Sequence, residues 1–130
     1  MTLFQILPAI AFALTAIFVL TRVTASAPAR PGLWRFPAVL CALFTGWTLY
    51  TIVTEGVLLV WVNHSSNAWG NQVWFDLLLA VSLSFAALVH RARSLGMSLL
   101  PWALFVIATA SIGLLAMLAR ILYLQERPAA

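Results

Sequence analysis

Three ionisable side chains fall within apolar stretches of this 130-residue chain: Glu55, Asp76 and Arg120. An ionisable group at mid-span costs roughly 2.5–3.5 kcal/mol on insertion scales, and such groups usually face a protein interior or a polar cavity. Two acids and one guanidinium leave a carboxyl over once a pair forms. An acid in an apolar cavity favours its protonated form and then suits proton donation or proton coupling. At helical rise Glu55 lies about 12 Å below Asn63, Asp76 about 7 Å below Asn71 and Arg120 about 9 Å from Glu126. In antiparallel neighbouring helices these depths coincide in one leaflet, under a mouth of Asn63, His64, Asn71, Gln72 and Tyr123. The expected pocket uses Glu55 and Asp76 as candidate proton donors, and Trp47, Tyr50, Asn71, Trp74, Arg120 and Tyr123 as ligand-binding residues. The plainer alternative is structural: an acid bridges Arg120 to lock three helices, Asp76 complements a helix dipole, or Arg120 snorkels outward.

The elements that position these groups are set by composition. Apolar residues make up 64% of the chain and charged residues 8%, against about 25% charged in a soluble domain. The chain is too apolar for disorder. Its single cysteine excludes a disulfide scaffold and a cysteine-based zinc site. The net charge is only +4, and the arginines lie between apolar blocks, so they read as membrane topology signals and not as a nucleic-acid surface. Membrane spans of about 20 apolar residues are expected over about 3–21, 36–62, 73–89 and 99–124. No segment shows the alternation of a barrel strand. The expected fold is therefore all-α: one polytopic domain of four transmembrane helices in an up-down bundle.

Orientation follows from arginine placement. The loop 22–35 carries Arg22, Arg30 and Arg35, and the loop 90–98 carries Arg91 and Arg93, whereas 63–72 is uncharged and the tail has Arg127 beside Glu126. The positive-inside rule then puts both basic loops in the cytoplasm and both termini outside, in the cell's inner (plasma) membrane. Ala25-Ser26-Ala27 resembles a signal-peptidase site, but no basic residue precedes the first apolar stretch, so an uncleaved span is the preferred reading. The HRAR run at 90–93 offers charge to anionic lipid, although orientation alone explains it. Small-residue spacing favours close helix approach at Thr109 and Gly113, and a stripe of Ala38, Ala42 and Gly46 offers an oligomer interface. His64 and His90 lie at opposite faces and share no site. Cys41 reads as a packing residue. No cofactor or metal is expected.

The run from Asn71, NQVWFDLLLAVSLSFAALVHRARSLGM, followed by Pro101-Trp102 and a closing RILYLQERP, resembles a family of small bacterial four-helix membrane proteins of unknown function. The resemblance covers the C-terminal half and rests on Asp76, on Arg91 and Arg93 with Leu95-Gly96, and on Tyr123-Leu124 with Arg127. It implies a fold and no reaction. The combination of Glu55 and Asp76 with Trp47, Tyr50, Trp74 and Phe75 is more loosely similar to membrane-embedded terpene cyclases. Those enzymes protonate an isoprenoid with a buried acid and shield the cation with aromatic side chains.

Three functions fit the sequence. The first is a small membrane protein whose outer-leaflet pocket binds a lipid, isoprenoid or other apolar ligand, or docks a larger membrane complex. The second is a cyclase-like enzyme with Glu55 or Asp76 as proton donor. The third is a proton-coupled transporter, which four slight helices provide only as a homo-oligomer.

Overall fold

A computed structural model describes residues 2–24 and 31–127. Among the described residues the structure is all-helical: α1 (Leu3–Thr24), α2 (Arg35–Glu55), α3 (Leu59–Ser65), α4 (Ala68–Ser94), α5 (Leu99–Thr109) and α6 (Ser111–Glu126). Helices α1, α2 and α4 are long and apolar enough to cross a membrane. At about 1.5 Å per residue α2 spans about 31 Å, close to a hydrocarbon core of roughly 30 Å. Residues 1–30 and 31–130 form separate units. The first is α1, whose described side chains are almost all exposed and apolar around the whole helix, as in a helix surrounded by lipid. The signal-peptidase-like Ala25-Ser26-Ala27, Arg30 and the Arg22 side chain lie outside the described residues.

In the second unit the ends of α2 and α4 differ from the sequence expectation, and α4 also continues to Ser94, through the Arg91 and Arg93 expected in a loop. Helix α2 ends at Glu55, although the apolar run continues to Val62. Gly56 takes φ 82° and ψ 151°, and its N–H closes the helix on the Ile52 carbonyl at 2.9 Å. Glycine has no Cβ to oppose that conformation. Helix α4 begins at Ala68, inside the stretch expected to be a polar loop. Asn67 is extended, and its Oδ1 accepts the Gly70 N–H at 2.8 Å as a helix N-cap. Helix α3 lies close against the start of α4. A Cβ at Gly70 would overlap the Asn63 carbonyl oxygen, and the Asn71 side-chain amide donates to the His64 carbonyl at 2.8 Å.

Helix α4 ends in a Schellman motif. Gly96 has φ 71°, its N–H donates to the Arg93 carbonyl at 3.0 Å, and the Met97 N–H donates to the Ala92 carbonyl at 3.0 Å. The chain then turns back into α5.

Residues 99–124, expected to form one span, form two helices. The chain reverses at Ala110, whose φ 50° and ψ −110° are those of the first central residue of a type II′ turn. Helices α5 and α6 form an antiparallel hairpin, closed where Gly113 meets α5. A Cβ there would stand 2.8 Å from the Val106 Cα and 2.9 Å from its N, so only a residue without a side chain fits. At the open end of the hairpin, Met117 and Ile121 are fully buried against Ala92 of α4, with Trp102 and Leu99 packed alongside. Helix α6 thus runs parallel to α4 and antiparallel to α2, and it packs on α2, α4 and α5. Hydroxyls along these helices are satisfied locally: Thr45, Thr51, Ser82 and Thr109 each donate to the carbonyl four residues earlier. The four-helix up-down arrangement is therefore replaced, in this unit, by two long helices and a hairpin.

Two substitutions test the hairpin by thermal unfolding in mild detergent. Gly113→Leu forces α5 and α6 apart and costs about 1–3 kcal/mol by overpacking. Ala110→Gly relieves the positive φ and raises stability by about 1 kcal/mol.

Candidate functional site: the arginine end and its groove

The reversal at Ala110 changes where the three in-span charges lie. Arg91 and Gln125 are hydrogen-bonded at 2.8 Å, which fixes the levels of α4 and α6. From that level Arg120 lies about 8 Å along α6 and Asp76 about 22 Å along α4, so they are about 15 Å apart axially. The Trp34–Tyr123 ring contact likewise fixes α2, and it puts Glu55 about 27 Å from Arg120 along the axis. The expected pocket of Glu55, Asp76 and Arg120 is not assembled. All three side chains are exposed, and Arg120 instead lies over the Tyr123 ring, 5.8 Å from its centroid. Arg120 belongs to the basic end of the unit because α6 returns to the end where α5 began. On α4 the half-buried side chains include Trp74, Leu77, Val81, Phe85 and Leu88, whereas Asp76, Ala80 and Ala87 are exposed. Asp76 thus lies off the packing stripe of α4.

The other expected ligand-binding residues separate into three places. Asn71 and Trp74 belong to the α3–α4 corner, where Trp74 meets the His64 ring at 5.3 Å and His64 Nδ1 stands 2.6 Å from the Val60 carbonyl oxygen. Trp47 and Tyr50 sit side by side on the exposed face of α2, with centroids 5.6 Å apart. Tyr123 lies at the opposite end, among the arginines.

That end is built from the start of α2 and the ends of α4 and α6. Glu126 closes α6, where the helix dipole opposes a carboxylate. Two backbone donors offset this: the Gly32 N–H reaches one Glu126 oxygen at 2.9 Å and the Leu33 N–H reaches the other at 3.0 Å. Trp34 then packs edge-on against Tyr123, with centroids 5.4 Å apart. Arg35 lies over Trp34 at 5.8 Å. Arg127 lies over Tyr123 at 4.4 Å and also donates to its hydroxyl. Cation–π contacts of this kind contribute about 0.5–1 kcal/mol at exposed sites. Arg91 and Arg93 occupy the last turn of α4, where cations complement the dipole. Arg35, Arg91, Arg93, Arg120 and Arg127 are all exposed at this end, and Glu126 is engaged by backbone. Sequence reasoning identified the arginines as topology signals, but it put Arg120 and Arg127 on the wrong side of the set.

Adjoining this end is an open apolar groove of about 330 Å³ between α4 and α6, lined by Ser84, Ala87, Leu88, Leu114, Leu115 and Leu118. It is at the small end of ligand clefts, which run about 300–1,000 Å³. It arises because α2 and α4 both pack on α6 and leave part of its face uncovered. No signal in the apolar pattern distinguished Leu114, Leu115 and Leu118 from any other lipid-facing leucines. Among the described residues, no cluster of three His, Cys, Asp or Glu side chains suits a metal ion.

Comparison of the chain with protein-family models, with curated proteins and with solved structures gives no match.

The separation of Asp76 from Arg120 is tested by a double-mutant cycle. Asp76→Asn and Arg120→Gln, alone and combined, are expected to add to within about 0.5 kcal/mol in thermal unfolding, as sites without contact do. A coupling above about 1 kcal/mol would show that the two charges meet.

Proposed function

We propose that this chain is a small integral protein of the inner (plasma) membrane that binds a lipid or similar apolar ligand in the α4–α6 groove. The groove is the observation that carries this reading: it is apolar, open to the surroundings, and formed along the contact of α4 with α6. The expected outer-leaflet pocket is replaced by a site on the opposite side, toward the arginine end. A binding role is favoured over proton donation because the groove lining contains no acid, and Asp76 lies about 12 Å further along α4 than Ser84.

The topology that accompanies this reading has the arginine end in the cytoplasm by the positive-inside rule. Helices α2 and α4 cross the bilayer, and α5–α6 enters from the cytoplasmic side and returns to it. At about 1.5 Å per residue α6 reaches about 24 Å into a core of roughly 30 Å, so the hairpin tip stops short of the far surface. Backbone that turns within the membrane is tolerated where protein covers it. Here the Ala110 N–H is bonded to the Val106 carbonyl at 2.7 Å, and the Cys41 thiol of α2 reaches the Ile112 carbonyl at 3.5 Å. The segment after α6 is then cytoplasmic, and residues 66–67 face outward.

Two measurements test these statements. In a Cys41→Ser background, Arg127→Cys is expected to react with an impermeant thiol reagent only from the cytoplasmic side and Ser66→Cys only from the outside. Reaction of both from one side would refute the topology. Native mass spectrometry of the protein extracted in mild detergent is expected to show one retained lipid per chain, and Leu118→Trp, which fills the groove, is expected to remove it. A stoichiometric partner chain or second copy with an empty groove would favour a docking role instead.

A further inference from the structure

We propose that the groove is the acyl-chain site of one anionic phospholipid, whose phosphate is received by Arg91. This rests on the lipid-binding reading above and adds the headgroup class and the residue that selects it.

The register of both helices carries the assignment. On α4, Ser84, Leu88 and Arg91 follow one another at i, i+4 and i+7 and so share a face. On α6, Leu115, Leu118 and Gln125 share a face at i, i+3 and i+10. The groove therefore leads directly to the Arg91–Gln125 pair, whose side chains meet at 2.8 Å. The step from Leu88 to Arg91 is about 4.5 Å and from Ser84 about 10 Å, the order of the distance from a lipid phosphate to the first part of its acyl chain.

Charge then selects the ligand. The partner of Arg91 is a neutral amide oxygen, and it takes one terminal nitrogen of a guanidinium with five N–H donors. The remaining fork suits a phosphate oxygen pair. The carboxylate nearest to it in sequence at this end, Glu126, accepts from Gly32 and Leu33 through both oxygens. Arg35, Arg93, Arg120 and Arg127 add positive charge at the same end of the unit, with Arg93, Arg120 and Arg127 on faces of α4 and α6 turned away from the groove. A zwitterionic headgroup brings its own cation into that field, and a net anionic one does not. Gln125 has a further function here: it holds the guanidinium over the groove without neutralising it, as a carboxylate would.

The test titrates the full-length protein, delipidated in mild detergent, with phosphatidylglycerol or phosphatidylcholine and reads occupancy by native mass spectrometry. The wild type is expected to prefer phosphatidylglycerol by about fivefold, the increment for one basic residue near an anionic surface. Arg91→Gln is expected to remove that preference while phosphatidylcholine binding stays, and Arg91→Lys is expected to keep most of it. Arg93→Gln, on another face of α4, is expected to leave it within twofold. Thermal unfolding of each variant confirms that it is folded. Equal binding of the two lipids by the wild type overturns the headgroup assignment and leaves the groove reading standing. An undiminished preference in folded Arg91→Gln overturns the role of Arg91 and points to general surface charge. Absence of binding by either lipid overturns both readings.

Discussion

The contact on which the second unit depends is the approach of Gly113 to the Val106 backbone. It lets α6 lie against α5 at a separation that any side chain would prevent. From that approach follows the direction of α6, and from the direction follows the rest. Helix α6 becomes the element on which α2, α4 and α5 pack, Met117 and Ile121 meet Ala92, and the arginines of α2, α4 and α6 collect at one end. In lipid no hydrophobic drive separates helices from their surroundings, so close packing of small residues and local hydrogen bonds must supply the association. The sparse core, with most apolar side chains exposed, is the expected consequence.

The sequence pattern carried the helical class, the three long apolar helices and the basic character of the segments flanking α2 and α4. It did not carry the breaks. Hydropathy reads through Gly56 because VLLVWV after it is as apolar as the helix before it, and it reads through Ala110 because the turn residue is not glycine. The polar run NHSSNAWGNQ resembled a loop, yet Asn67 is a good N-cap and the residues after it continue into α4. A helix start was present there in the residue types, hidden by their polarity.

The charged triad shows how depth depends on direction. Residue spacing gave the distance of Arg120 from its helix end, but Glu55 is itself the last residue of α2 and Asp76 lies about 12 Å inside α4. For Arg120 the end to which the distance refers also differs, since it is counted from the same end of the unit as Arg35 and Arg91 once α6 is turned around. The observed helix directions also make the charge distribution more coherent: Arg120 and Arg127 join the basic end, and the acids Glu55 and Asp76 are left toward the other end. The change disperses the expected cluster of Glu55, Asp76 and Arg120 and leaves an open apolar groove beside the Arg91–Gln125 pair.

The Glu126 clamp has a consequence for assembly during synthesis. The amides of Gly32 and Leu33 wait for a carboxylate 94 and 93 positions later in the chain. Helices α2 and α4 must therefore both be synthesised before the bond that secures the start of α2 can form. The start of α2 is fastened only when α6 has come back to the end of the unit from which α2 departs.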